Sequence, residues 1–136
     1  MPGADPVGEI AGRWLDRAGA DLEAARTLAR SGAQPWVVGF HAQQAIEKAL
    51  KAVLVREQIR FPRTHDLERL SGLVPGDWHL DLPLDRLARV SEFGAETRYP
   101  VEDWNDVPAA TTAEVDAAVD LAGRVVTAVR ERLSRR

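Results

Sequence analysis

The stretch FHAQQAIEKALKAVL, residues 40–54, decides the fold. Wound into an α-helix of about 3.6 residues per turn, it gathers its apolar side chains on one face. These are Ala42, Ala45, Ile46, Ala49, Leu50 and Val53. The three small alanines predict close approach of a second helix. A connection of only three or four residues, near 32–35, makes the preceding helix its antiparallel neighbour.

Outward from this stretch, prolines divide the chain into segments whose apolar residues recur at steps of three and four, which is typical of helices. The first helix should run from about 6 to 31, with Asp5 as its cap. Its predicted buried face consists of Ile10, Trp14, Ala18, Leu22, Ala25, Leu28 and Ala29. The second should run from about 35 to 56.

The second half of the chain predicts a short helix capped by Thr64, a loop with Trp78 folded back onto the bundle, and a fourth helix that starts at about 84 and ends near 94 to 97. Residues 98–108 should be irregular. The last helix opens with a capping box from Thr111 to Glu114. We therefore predict an all-α fold, an up-and-down four-helix bundle with an extra short helix, as a single domain over residues 1–136.

Composition narrows the class of protein. Hydrophobic residues form 45% and charged residues 29% of the 136-residue chain, which is the balance of a soluble globular protein. The sequence has no cysteine, no apolar run of membrane length and no signal peptide, so we expect a cytoplasmic protein that does not enter a membrane. A net charge of -3 argues against coating nucleic acid through bulk charge alone.

The second face of the 40–54 helix is the first candidate site. A contiguous stripe lies beside the apolar face and consists of Phe40, His41, Gln44, Lys48 and Lys51. The stripe is either a solvated polar face or a working surface. Because an exposed Phe beside cations needs cover, loops of this chain or a second copy of it could pack there.

Two further segments carry polar side chains at positions where the backbone is restricted, one at the start of a predicted helix and one before a proline. In FPRTHDL (61–67), His65 is predicted in the first turn of the short helix, where it could exchange a proton or simply bond across the bundle to lock the loop. In ETRYP (96–100), Arg98 and Tyr99 precede a proline. Arg98 could clamp a phosphate or pair with Glu47 or Asp66.

The sequence lacks the other common signatures of enzymes. The sequence has no Gly-rich phosphate loop, no HExxH and no pair of histidines at metal-ligand spacing, so we predict neither a metal site nor a cofactor.

Taken in order, WLDRAGADLEAARTL, FHAQQAIEKALKA, FPRTHDL and ETRYP resemble the HEPN domains of prokaryotes, specifically the small stand-alone branch encoded beside a minimal nucleotidyltransferase. The resemblance spans roughly residues 10 to 130. It implies a helical bundle, usually dimeric, that binds nucleotide or RNA. Many HEPN domains are metal-independent ribonucleases, some of them toxins neutralised by the partner. Their signature is an Arg followed, after four to six intervening residues, by His.

This sequence departs from that signature, because Arg98 is followed at 103–105 by Asp, Trp and Asn. The leading hypothesis is thus a nucleotide- or RNA-binding homodimer that acts with a nucleotidyltransferase. Its predicted ligand-binding residues are His41, Gln44, Lys48, Lys51, His65, Arg98 and Tyr99. The alternatives are a ribonuclease toxin that uses His65 and Arg98, and a purely structural dimerisation module.

Overall fold

The structure, a computed structural model, describes residues 4–98 and 110–135. Within those ranges the chain is helical and has no strand. The elements are α1 (Pro6–Arg30), α2 (Pro35–Arg56), α3 (Leu67–Ser71), a single turn of 3-10 helix (Gly76–Trp78), α4 (Leu84–Arg98) and α5 (Thr112–Ser134). The all-α class and the arrangement of four long helices with one short one are confirmed.

Helix α1 begins where the sequence predicts. The Oδ1 atom of Asp5 accepts a hydrogen bond from the Gly8 N–H at 2.9 Å, and proline occupies the first turn. The buried face differs slightly from the predicted one. Ile10 is 45% exposed, whereas Ala11 and Leu15 are buried. The predicted buried face of α1 therefore includes an exposed residue and omits two that are buried.

Helix α2 is the centre of the bundle, since it packs against α1, α3, α4 and α5. All six residues of its predicted apolar face are fully buried. Small residues permit the closest approaches. A Cβ atom added to Gly39 would lie 3.0 Å from the Phe93 ring of α4, so glycine is what allows this helix crossing.

The short helix α3 begins later than predicted. Asp66, not Thr64, is its N-cap, and the Asp66 carboxylate accepts hydrogen bonds from the N–H groups of Glu68 and Arg69. Thr64 instead accepts a hydrogen bond from the Asp66 N–H at 3.1 Å, two residues along. His65 therefore precedes the helix rather than lying in its first turn, and the prediction for Thr64 and His65 was wrong.

The loop after α3 returns to the bundle as predicted. Trp78 is buried, and its Nε1–H donates to the Oε1 atom of Glu57 at 2.7 Å. The guanidinium of Arg132, from α5, lies over the indole at 5.1 Å. These contacts join the ends of α2 and α5 through one tryptophan.

The predicted capping box of the last helix is present, with Thr111 and Glu114 bonded reciprocally. Glu114 also accepts two hydrogen bonds from Arg89, from Nε at 2.6 Å and from Nη2 at 3.0 Å. The hydrogen bond from Arg89 lowers the pKa of Glu114 to about 2. One carboxylate thus caps α5 and holds it to α4.

Of the residues predicted as irregular, 98–108, Arg98 is instead the last residue of α4, and 99–108 lie outside the described part of the chain. None of the helices in the described ranges combines the length and the hydropathy needed to cross a membrane.

Candidate functional site

A buried carboxylate and a half-exposed imidazole form the centre of the candidate site. The Nδ1 atom of His65 lies 2.7 Å from the Oε1 atom of Glu47. The side chain of His65 is 48% exposed, whereas that of Glu47 is only 4% exposed. α2 supplies the carboxylate, and the segment that leads into α3 supplies the ring. The arrangement holds one ring nitrogen inside and leaves the other edge of the imidazole toward solvent.

Three donors keep the Glu47 carboxylate charged. Besides His65, the Gln43 Nε2 atom donates to Oε1 at 3.0 Å, and the Lys51 ammonium donates to Oε2 at 3.1 Å. Burial raises the pKa of Glu47, but the hydrogen bonds from Gln43, His65 and Lys51, with the Lys51 charge, outweigh it and leave that pKa below its usual value. The carboxylate is therefore ionised at neutral pH.

Lys51 is enclosed on its other sides by aromatic rings. Its Nζ atom lies 5.6 Å from the centroid of the Trp14 ring of α1 and 5.7 Å from that of Phe61. A cation over an aromatic face is attracted by the ring quadrupole. The ammonium predicted to meet a ligand is thus buried among partners from within the chain.

A second polar cluster lies between α1 and α2. Asp21 accepts from the Lys48 ammonium at 2.6 Å, and its other oxygen lies 3.0 Å from the His41 Nδ1 atom. The His41 ring also meets Phe40 edge to face, with 5.4 Å between centroids. The stripe is therefore covered along one side by α1 of the same chain.

Gln44 belongs to the inner network, since its Nε2 atom donates to Gln43 Oε1 at 2.7 Å. The four stripe residues predicted to bind a ligand are thus all bonded within the chain. Their ligand-binding roles stay predictions, and the side chain of Lys51 is only 10% exposed. Arg98 is the last residue of α4, and its side chain and all of Tyr99 lie outside the described residues.

The segment around His65 adds exposed cations. Arg60 and Arg63 are both exposed, and across the described ranges neither forms an ion pair. Three residues in a span of six therefore offer positive or ionisable groups to solvent. Phosphate oxygens are the natural partners of such groups.

The sequence reading missed three residues of this site. Gln43 and Asp21 were not singled out, and Glu47 was considered only as a partner of Arg98. A usable signal existed, because Gln43, Glu47 and Lys51 follow one another at steps of four and so form one row on α2. Polar residues in a row beside an apolar face indicate an internal network when a neighbouring helix covers them.

Within the described ranges, no three His, Cys, Asp or Glu side chains cluster closely enough to hold a metal ion. The arrangement is suited to hydrogen bonding and to proton exchange at His65.

Comparison with known proteins agrees with this fold. The family model described as "HEPN domain" matches residues 11–132. The crystal structure of ST0689, an archaeal HEPN homologue, superposes with a TM-score of 0.68 at 26% identity, covering 90% of this chain and 97% of that one. TT1696 from Thermus thermophilus gives 0.68 at 30% identity, with 89% and 96% covered. Among curated proteins there is no match.

Proposed function

Because this chain belongs to the HEPN domain family, we propose that it is a module that binds nucleotide or RNA, as a homodimer acting in the cytoplasm with a minimal nucleotidyltransferase. The observation that carries the binding role is the half-exposed His65, anchored by Glu47 in a segment with two exposed arginines that form no ion pair with any described residue. Arg60 and Arg63 neutralise phosphates, and the anchored imidazole contacts the same ligand. The stripe residues His41 and Lys48 contribute where a ligand extends along α2.

A binding measurement tests this role. Fluorescence anisotropy with a labelled single-stranded RNA should show binding that weakens as salt rises, because phosphate contacts release counterions. Replacing both Arg60 and Arg63 with alanine should weaken binding about ten-fold or more. Arg30→Ala is the matched control, since Arg30 is an exposed arginine at the end of α1 and forms no ion pair within the described ranges. Equal affinities of the double variant and the control would contradict the proposal.

The homodimer is proposed from the resemblance of the motifs to HEPN domains, which are usually dimeric. Sedimentation velocity at micromolar concentration should give twice the chain mass, and a monomer would contradict this part. The nucleotidyltransferase partner is proposed from the resemblance of the motifs. Co-purification with a nucleotidyltransferase whose gene lies next to the gene for this protein tests it.

The Glu47–His65 pair favours a second candidate, a metal-independent ribonuclease. A carboxylate that orients an imidazole is the arrangement used in general acid–base catalysis. The purified protein should then cleave RNA in the presence of EDTA, and expression without the partner should arrest growth. Arg98 would stabilise the phosphate. Intact RNA, normal growth and identical behaviour of His65→Ala would together remove this candidate.

A further inference from the structure

The hydrogen bond to Glu47 determines which nitrogen of His65 faces a ligand. An ionised carboxylate only accepts hydrogen bonds, so the Nδ1 atom, 2.7 Å from Glu47 Oε1, must carry the hydrogen. In a neutral imidazole the other nitrogen then has a free lone pair. Within the described part of the chain, the Nε2 atom of His65 meets no partner. The outward atom of the site is therefore a hydrogen-bond acceptor.

The surrounding hydrogen bonds hold the imidazole of His65 so that Nδ1 stays against Glu47 and Nε2 stays outward. The Gln43 Nε2 atom donates both to Glu47 and to the main-chain oxygen of His65, the latter at 3.2 Å. His65 is thus held at its backbone and at its ring by two residues on adjacent turns of α2. The Lys51 ammonium fixes the far oxygen of the carboxylate. Rotating the imidazole would leave a buried charge with one donor fewer, which is costly.

We propose that Glu47 is the positioning residue of the site, and that it makes His65 Nε2 an acceptor for a ribose 2′-hydroxyl of the bound nucleotide. This inference rests on the proposed binding function. A 2′-hydroxyl is the donor that every ribonucleotide offers regardless of base, and it is the group by which a protein tells RNA from DNA. Arg60 and Arg63 contact phosphates common to both polymers, so they supply affinity while His65 supplies the preference for ribose.

The test compares one single-stranded sequence as RNA and as DNA. At about pH 8, the wild-type protein should bind the RNA about five-fold more tightly, the value of one neutral hydrogen bond. His65→Phe should bind both polymers equally. Arg30→Ala, an exposed change at the end of α1, should keep the preference. Equal binding of RNA and DNA by the wild type would overturn the inference but leave the proposed binding function intact. Absence of binding to either polymer would instead refute the binding function.

A second measurement isolates Glu47 from folding. The ¹⁵N chemical shifts of the His65 ring at the same pH should show the hydrogen on Nδ1 in the wild-type protein, and a hydrogen on Nε2 would overturn the inference without any variant. The double variant Glu47→Leu, Lys51→Met removes both charges of the buried pair and so leaves neither unpaired. It should lose the fixed tautomer and the preference for RNA together. A folded double variant that retains both would show that Glu47 does not position the ring.

Discussion

The Nζ atom of Lys48 lies 2.6 Å from the Oδ2 atom of Asp21, so an ion pair joins the two antiparallel helices α1 and α2 in a half-buried seam. The Asp21 side chain is only 15% exposed. Removing it would leave both Lys48 and His41 without their acceptor.

We therefore expect Asp21→Ala to lower the free energy of unfolding by about 1–3 kcal/mol, the cost of leaving partly buried donors unsatisfied. Asp16→Ala is the matched control, because Asp16 is exposed on the same helix and forms no ion pair within the described ranges. Urea unfolding measures both. Equal losses would mean that the Asp21 cluster contributes no stability of its own.

Glycines on α1 and α2 should respond in opposite directions to alanine. A Cβ atom at Gly39 would meet three atoms of Phe93 at 3.0–3.2 Å, so Gly39→Ala should destabilise by about 1–3 kcal/mol despite the better helix propensity. Gly12, within α1, has open space where its Cβ would lie. Gly12→Ala should stabilise by up to about 1 kcal/mol. Thermal unfolding followed by circular dichroism checks the pair, and a shift of the same sign in both would refute the steric argument.

The Arg89–Glu114 contact predicts how stability depends on acid. The folded-state pKa of Glu114 is lowered from 4.5 to about 2, so the unfolded chain takes up the proton first. The contribution is therefore present above pH 4.5 and is lost as the pH falls toward 2. Because Glu114 is partly exposed, solvent screening reduces its size.

Glu114→Gln should consequently flatten the fall in unfolding free energy between pH 4.5 and 2, measured by urea titrations at several pH values. Glu23→Gln is the control, since Glu23 is exposed and makes no ion pair within the described residues. A slope that the Glu114 change leaves untouched would show that the contact is not maintained in solution.

Trp78 offers a test of how the loop is held. Trp78→Phe removes the 2.7 Å hydrogen bond to Glu57 and part of the surface under Arg132. We expect a loss of about 1–3 kcal/mol in unfolding free energy. Asp81→Ala, an exposed change three residues along the same loop, should cost less than this. Guanidinium titrations followed by circular dichroism compare them.

The sequence was sufficient for features set by local or periodic signals. The buried face of α2, the Asp5 cap and the Thr111–Glu114 box all depend on residues a few positions apart, and each is confirmed. The predicted start of α3 was wrong because Thr64 and Asp66 are both residue types that cap helices well. The choice between them depends on tertiary contacts, such as the hydrogen bond that Ser91 of α4 accepts from the Leu67 N–H.

The candidate site was only half predictable for a related reason. Periodicity placed the stripe on one side of α2 but could not say what covers it. Asp21 lies 27 residues before its partner Lys48, and Phe61 lies ten residues after its partner Lys51. The local pattern of the sequence does not indicate contacts over such separations. His65 was identified, whereas the carboxylate that orients it was recognised only from the contact itself.

The central position of α2 has a consequence for the slowest motions of the domain. Since α2 contacts each of the other four α-helices in the described ranges, its middle cannot be exposed by opening any one neighbour alone. Backbone amide hydrogens at residues 45–53 should therefore exchange with deuterium only through global unfolding, and their protection should equal the full stability of the domain. The ends of α1 and α5 should exchange by local fraying, and thus far sooner.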